Sequence, residues 1–136
     1  MTARFTHVVD TSALIAYFKG EDGHEMFAGI LKDERNVLAI HAVNLFEVYC
    51  DYLRSDGHEV AEEAWRRATS ILAIVEKADE DFMKRVARWK VEHELRLTDA
   101  FAATTAEEYA CRLVSADRND FSAIEQAGTL QIVWLR

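Results

Sequence analysis

The sequence has no proline, and its 136 residues include only five glycines and two cysteines. It contains no Gly/Ser-rich linker, internal repeat or low-complexity tract, so we predict one domain over residues 1–136. Hydrophobic residues make up 50% of the chain, enough to fill one core without disulfides or a structural metal. Cys50 and Cys111 lie among apolar residues without CxxC spacing, which favours buried, reduced thiols over a disulfide, a zinc site or a nucleophile.

Long apolar runs and an excess of positive charge are also missing. No run approaches the roughly 20 residues that span a bilayer, and residues 1–9 lack the apolar core of a secretory signal. We therefore expect a soluble, cytoplasmic protein with no membrane partner. The formal net charge of −8 argues against sequence-blind adhesion to nucleic acid, which needs many cationic contacts to phosphate.

Short apolar runs alternate with helical patterns along the chain. The runs predict buried strands, the last of them weaker than the others, at residues 7–9, 37–40, 71–75, 113–115 and 131–135. Helical spacing follows in the segments between them, with Thr11 or Ser12, Asp79 and Thr98 as candidate N-caps. Alternating strands and helices predict a three-layer α/β/α sandwich with a central parallel sheet of four to five strands.

Four carboxylates fall near the ends of these predicted elements. Asp10 ends the first apolar run and Asp117 follows the fourth, while Glu47 and Asp99 lie near the starts of helices. In open parallel sheets, sites form beyond the carboxyl ends of the strands, where the strand order reverses. If the first and fourth strands are neighbours, we expect all four acids to share one edge of the sheet.

Such a cluster points to a metal site. Two carboxylates about 6 Å apart repel by roughly 3 kcal/mol at an effective dielectric of 20, so several pairs are costly without a cation. Oxygen ligands without an accompanying histidine or cysteine favour Mg²⁺ or Mn²⁺, which also accept phosphate oxygens. The implied chemistry is attack of an activated water on a phosphodiester, and the Ser12 hydroxyl is placed to hold a water or a phosphate.

Each acid also has a purely structural interpretation. Asp10 can cap the following helix, Asp99 suits a helix first turn, and Asp117 with Asp120 can form a turn and a helix cap. Glu47 is three residues after Asn44, the spacing of a capping box. The placement of all four acids on one predicted edge favours the functional interpretation.

At this point the residues resemble a known family. Residues 8–15, Val-Val-Asp-Thr-Ser-Ala-Leu-Ile, look like the opening motif of PIN domains, particularly of the VapC-type toxins of prokaryotic toxin–antitoxin pairs. The second, third and fourth acidic motifs of the family are matched in order by residues 44–48, 97–104 and 113–121. The resemblance spans essentially the whole chain.

The resemblance implies an Mg²⁺- or Mn²⁺-dependent endoribonuclease that is inhibited by a cognate VapB-type antitoxin and is usually a homodimer. Position by position, it implies an acidic site of catalytic and metal-binding residues, namely Asp10, Glu47, Asp99 and Asp117, with Asp120 as a candidate fifth acid. The candidate substrate-contacting or supporting residues are Ser12, which matches a small hydroxyl position, Ser115, which stands where threonine is commoner, and Asn44, which lies at a variable position.

Two other interpretations remain open from the sequence. A receiver-like or haloacid-dehalogenase-like phosphotransfer domain also places aspartates at strand ends, although the first strand lacks a DxDxT motif and no lysine follows the late strand. A non-catalytic α/β interaction module is the third interpretation, and the intact set of acids makes it less attractive.

Overall fold

A computed structural model describes residues 4–136 of the chain. It contains five strands, all near the predicted positions: β1 His7–Val9, β2 Leu38–His41, β3 Ala73–Val75, β4 Arg112–Ser115 and β5 Ile132–Trp134. The helices are α1 Thr11–Lys19, α2 His24–Lys32, α3 Ala42–Ser55, α4 His58–Ile71, α5 Glu80–His93, α6 Leu97–Glu108 and α7 Arg118–Gln126. Of these, α7 is anticipated in the sequence only through the capping potential of Asp117.

The five strands form one parallel sheet in the order β3-β2-β1-β4-β5. Strand β1 is central, because Val8 pairs with Ala39 of β2 on one side and with Leu113 of β4 on the other. The chain builds the sheet outwards from β1 to β3 and then returns to the opposite side of β1. The order therefore reverses between β1 and β4, and the condition set in the sequence analysis, that these two strands are neighbours, is met.

Helices cover both faces of the sheet, which confirms the predicted α/β/α sandwich. The two central strands divide their side chains between two cores: Val9 and Val114 face one core, and Val8 and Leu113 face the other. This alternation is the two-residue period of a strand buried on both faces. The first core takes its residues mainly from α1 to α4, and the second takes them from α5 to α7.

Two of the predicted N-caps are wrong. Helix α1 is capped by Asp10, whose backbone is extended and whose side chain accepts a hydrogen bond from the Ala13 N–H, so Thr11 and Ser12 already lie inside the helix. Helix α6 begins at Leu97, and Thr98 uses its hydroxyl to contact a neighbouring helix instead of capping its own. In both cases the helix starts at least one residue earlier than the polar residue suggests.

Both cysteines are free and half-buried, so the prediction of reduced thiols is confirmed and that of full burial is only partly met. Burial raises the pKa of the Cys111 thiol to about 11, so this cysteine is protonated at neutral pH. Within residues 4–136, no helix combines the length and the apolar character needed to cross a bilayer.

Candidate active site

The candidate site lies at the carboxyl edge of the sheet, at the point where the strand order reverses. Asp10 follows β1 directly, and Asp117 lies two residues beyond the end of β4. Helices α3, α6 and α7 bring Glu47, Asp99 and Asp120 to the same edge. Asp10 and Asp99 are 1% and 4% exposed, whereas the other three are partly exposed, so the cluster is closed beneath and open to solvent above.

Mutual contacts join the five acids into one group. Asp120 lies within hydrogen-bonding reach of the carboxyls of Asp99 and Asp117, and Asp10 is close enough to feel the charges of both. Glu47 is attached through Thr98, whose hydroxyl donates to Glu47 Oε2 at 3.1 Å. The structure therefore brings together all four acids that were predicted from the sequence, and the candidate fifth acid with them.

Two serine hydroxyls fix Asp10 and join the ends of β1 and β4. The Ser12 hydroxyl and the Ala13 N–H both donate to Asp10 Oδ1, each at 2.8 Å. Ser12 Oγ also accepts from the Ala116 N–H at 3.0 Å and lies 3.3 Å from Ser115 Oγ. Ser115 Oγ in turn accepts from the Asp117 N–H at 3.1 Å. Ser12 and Ser115 thus hold Asp10 and the Asp117 backbone in place.

Burial disfavours the charged form of the aspartates in this cluster. Desolvation raises the pKa of Asp10 to about 6, and the charge of Asp117 adds to the increase. Burial is also the main cause of the raised pKa values of Asp99, Asp117 and Asp120. For Asp117 and Asp120 a neighbouring aspartate raises the pKa further. A positive charge at this position would favour the charged form.

Arg96 supplies one such charge, and it is a residue that the sequence interpretation missed. Its Nε donates to Asp99 Oδ2 at 3.1 Å, and its Nη2 donates to Asp120 Oδ2 at 3.2 Å. The hydrogen bond to Asp99 is the main cause that raises the pKa of Arg96 above its usual range. The sequence did contain a signal for this contact: Arg96 is three residues before Asp99, and residues three apart at the start of a helix lie on the same side of it.

Asn44 connects three of the segments that carry acids. Its side-chain NH₂ donates to the Thr98 carbonyl at 2.9 Å and to Thr11 Oγ1 at 3.3 Å, while the Thr11 hydroxyl donates to the Asn44 carbonyl at 3.2 Å. Thr11 follows Asp10, Thr98 precedes Asp99, and Asn44 shares α3 with Glu47. Among the described residues, its buried Oδ1 has no hydrogen-bond partner. Asn44 therefore acts as a positioning residue.

The capping-box interpretation of Asn44 and Glu47 is wrong. Helix α3 begins at Ala42, and its cap is His41, whose Nδ1 accepts from the Val43 N–H at 3.0 Å. Glu47 lies in the second turn, beyond reach of the helix start. By contrast, Asp10 and Asp117 do cap α1 and α7, so capping and membership of the cluster coexist in these two residues.

The donor set fits a hard divalent cation. The cluster offers only carboxylate oxygens, and neighbouring aspartates contribute, after burial, to the raised pKa values of Asp10, Asp99, Asp117 and Asp120. In residues 4–136, no three metal-ligating side chains already stand in the arrangement that would hold an ion.

The sequence matches the PIN domain family over residues 7–126. The chain belongs to the PIN domain family. The match begins at the first residue of β1 and ends at the last residue of α7, so it includes all five acids of the cluster. The resemblance stated from the sequence motifs is confirmed, and no curated protein sequence matches this chain significantly.

Solved structures of toxin–antitoxin systems share the fold of this PIN domain. A toxin–antitoxin complex from Klebsiella pneumoniae has 23% identity and a TM-score of 0.73, covering 96% of this chain and 98% of that one. VapBC2 from Rickettsia felis, bound to a promoter DNA fragment, has 18% identity and a TM-score of 0.74, covering 95% and 98%. VapC20 from Mycobacterium tuberculosis, a sarcin–ricin loop cleaving toxin, has 21% identity and a TM-score of 0.70, covering 88% and 95%.

Proposed function

We propose that this PIN domain is a metal-dependent endoribonuclease and the toxin of a type II VapBC toxin–antitoxin pair. The observation that carries the proposal is the convergence of five acids at the point where the sheet order reverses, in a chain of the PIN family. Similarity of fold to VapC20, which cleaves an RNA loop, supports RNA as the substrate class.

The metal would be Mg²⁺ or Mn²⁺, held by Asp10, Glu47, Asp99 and Asp117, with Asp120 at the edge of the set. When bound, the ion supplies positive charge that activates water and offsets the charge developing on the phosphate. The chain itself provides the positioning. Ser12 and the Ala13 N–H orient Asp10, and Thr98 orients Glu47.

The proposed partners follow from the same similarities. Several of the structurally similar proteins are toxin–antitoxin complexes, and some of these are bound to DNA. We therefore propose a VapB-type antitoxin as the partner of this chain, a homodimer as its assembly and the cytoplasm as its location. Membership of the PIN family favours this function over a phosphotransfer domain and over a non-catalytic interaction module.

RNA cleavage by matched aspartate variants tests the proposal. Asp99→Asn removes one charge from the cluster, whereas the control Asp33→Asn removes one from the loop before β2, at the opposite edge of the sheet. With Mg²⁺ or Mn²⁺ present, we expect Asp99→Asn to lower cleavage about 100-fold or more and the control to match wild type. Equal cleavage by Asp99→Asn and wild type would remove Asp99 from the mechanism.

Binding of the antitoxin is tested separately. The product of a small open reading frame beside the gene for this chain should form a stable complex with it and suppress cleavage. Cleavage that is unaffected by this partner would contradict the toxin assignment and leave the nuclease assignment intact. Sequencing of RNA ends after controlled expression would then identify the target.

A further inference from the structure

Arg96 forms ion pairs with two acids of the carboxylate cluster. Its planar guanidinium bridges Asp99 of α6 and Asp120 of α7, with donor–acceptor distances of 3.1 and 3.2 Å. Glu47 lies near enough for its charge to act on the same guanidinium. One arginine thus offsets part of the negative charge of three acids that come from three different helices.

The Arg96 side chain reaches this position from solvent. It is 62% exposed, while the Asp99 side chain beneath it is 6% exposed. Arg85, which joins α5 to α6 by ion pairs, has a side chain only 18% exposed. Ion pairs made by an exposed guanidinium are weak and are screened by water and salt. Arg96 can therefore leave the carboxylates by side-chain rotation, without any movement of the backbone.

A divalent cation bound to Asp99 and Asp120 would compete with Arg96 for their Oδ2 atoms. In the part of the chain that the structure describes, no three acids are arranged to hold an ion, and two of the five acids, Asp99 and Asp120, are bonded to Arg96. A guanidinium and a divalent ion on the same carboxylate oxygen repel each other at short range, so each weakens the binding of the other there. Release of Asp99 and Asp120 by Arg96 would free two of the five acids at once.

We propose that Arg96 is a built-in counter-ion of the metal site, which a divalent cation displaces from Asp99 and Asp120. The inference rests on the proposed function, because it concerns the same site. Before the ion binds, Arg96 lowers the repulsion between the acids and keeps α6 and α7 together. The arginine therefore sets the cation concentration at which the site fills.

Titration with Mn²⁺ by calorimetry tests this role without any measurement of cleavage. The control is Arg118→Gln, which removes a positive charge from the residue next to Asp117. Arg118 suits this purpose because its side chain contacts other groups: its Nε donates to the Arg136 carbonyl at 2.9 Å, and its guanidinium lies over the Trp134 ring. We expect Arg96→Gln to bind Mn²⁺ roughly three- to tenfold more tightly than wild type, and Arg118→Gln to bind within about twofold of it.

The outcomes separate this inference from the proposed function. Equal or weaker Mn²⁺ binding by Arg96→Gln would overturn the counter-ion role while leaving the metal site in place. An equal gain in both variants would also overturn it, because the effect would then be one of overall charge. Failure of wild type and both variants to bind Mn²⁺ would overturn the metal site and the inference together.

The Nε–H resonance of Arg96 gives a direct second readout in wild type. The spectrum of Arg96→Gln identifies this signal, and Arg35, which pairs with Asp33 at the opposite edge of the sheet, provides an internal reference. Saturation with diamagnetic Mg²⁺ should shift or broaden the Arg96 signal and leave that of Arg35 unchanged. An unchanged Arg96 signal at saturation would show that the ion binds without displacing it.

Discussion

At its carboxyl end helix α6 carries Glu107 and Glu108, which pair with Arg85 and Lys77. At its amino end Asp99 belongs to a cluster of five acids and pairs with Arg96. The pKa of Glu108 is lowered, mainly by its hydrogen bond from Lys77. The pKa of Asp99 is raised, mainly by burial, although Arg96 contacts it. The two ends of one helix therefore shift the pKa values of their carboxylates in opposite directions.

The contrast distinguishes acids that are paired with bases from acids that are crowded together with few bases. At the carboxyl end, acids and bases are nearly balanced, and Arg85 also contacts the Phe82 ring of the core. At the amino end, five acids share one exposed base, which is an arrangement that costs stability unless a cation binds. The unbalanced end is the one at which we propose the metal site.

The largest expected difference between the two ends is in catalysis. Asp10→Asn removes a buried charge from the amino-end cluster and keeps an oxygen for the Ala13 N–H, so we expect cleavage to fall about 100-fold or more without loss of thermal stability. Glu108→Gln should leave cleavage within about twofold of wild type and lower the melting temperature. Cleavage of a labelled RNA and thermal unfolding measure the two effects. Similar losses of cleavage in both variants would contradict the distinction.

Removal of the base at each end should affect stability unequally. Arg85→Met breaks ion pairs to Asp81, Glu107 and Glu108 that are partly shielded from water, and we expect it to cost about 1–3 kcal/mol in urea unfolding. Arg96→Gln, at the exposed position, should cost less than about 1 kcal/mol. A larger cost for Arg96→Gln would mean that the amino-end cluster is also structural.

We expect hydrogen bonds from Asn44 to fix the amino end of α6, whereas ion pairs fix its carboxyl end. Asn44→Ala removes a buried hydrogen bond to the Thr11 hydroxyl and a partly buried one to the Thr98 carbonyl, and should cost about 1–2 kcal/mol of unfolding free energy. Mn²⁺ binding should weaken as well, because Asp10 and Asp99 lose their common support. Unchanged Mn²⁺ affinity in a destabilised variant would limit Asn44 to a role in packing.

The smallest expected effect is a dependence of stability on pH. The pKa of Asp10 is about 6 in the folded protein against an ordinary 3.8, so between these values the folded state holds a proton that the unfolded chain has released. The contribution of Asp10 to stability therefore rises as the pH falls through about 6, whereas that of Glu108, with its lowered pKa, declines at more acidic pH.

Urea unfolding of metal-free protein at about pH 7.5 and about pH 5 measures this effect. Wild type should gain about 1 kcal/mol more than Asp10→Asn on acidification, since the variant has no carboxyl to protonate at that position. The same gain in both proteins would assign the proton to Asp99, Asp117 or Asp120, whose pKa values are also raised.

The positions of the strands, and the edge of the sheet at which Asp10 and Asp117 lie, were predictable from the sequence, because they follow from strand periodicity and parallel topology. Asp10 and Asp117 follow apolar runs, and parallel strands place their carboxyl ends at one edge, so the sequence predicted that these acids would meet if β1 and β4 paired. Whether β1 and β4 pair depends on how the crossover connections run. The sequence did not determine this, so their pairing could only be assumed.

Long-range contacts account for what the sequence did not reveal. The Asn44–Glu47 spacing fits a capping box, but the helix starts at Ala42, two residues before Asn44, and its cap, His41, is also the last residue of β2. Arg96 contacts Asp120 across 24 residues, and Asn44 contacts the Thr98 carbonyl across 54. Neither partner can be identified from local pattern, because each contact depends on how the helices pack.

The strand order also determines when the centre can assemble during synthesis of the protein. A ribosome that has made the chain through α6 has produced Asp10, Glu47 and Asp99, but β4, which arrives afterwards, must first insert beside β1 to seat Asp117 and Asp120. The nascent polypeptide therefore lacks a complete acidic centre until β4 and α7 have been translated, because Asp117 and Asp120 are the last of the five acids to be made.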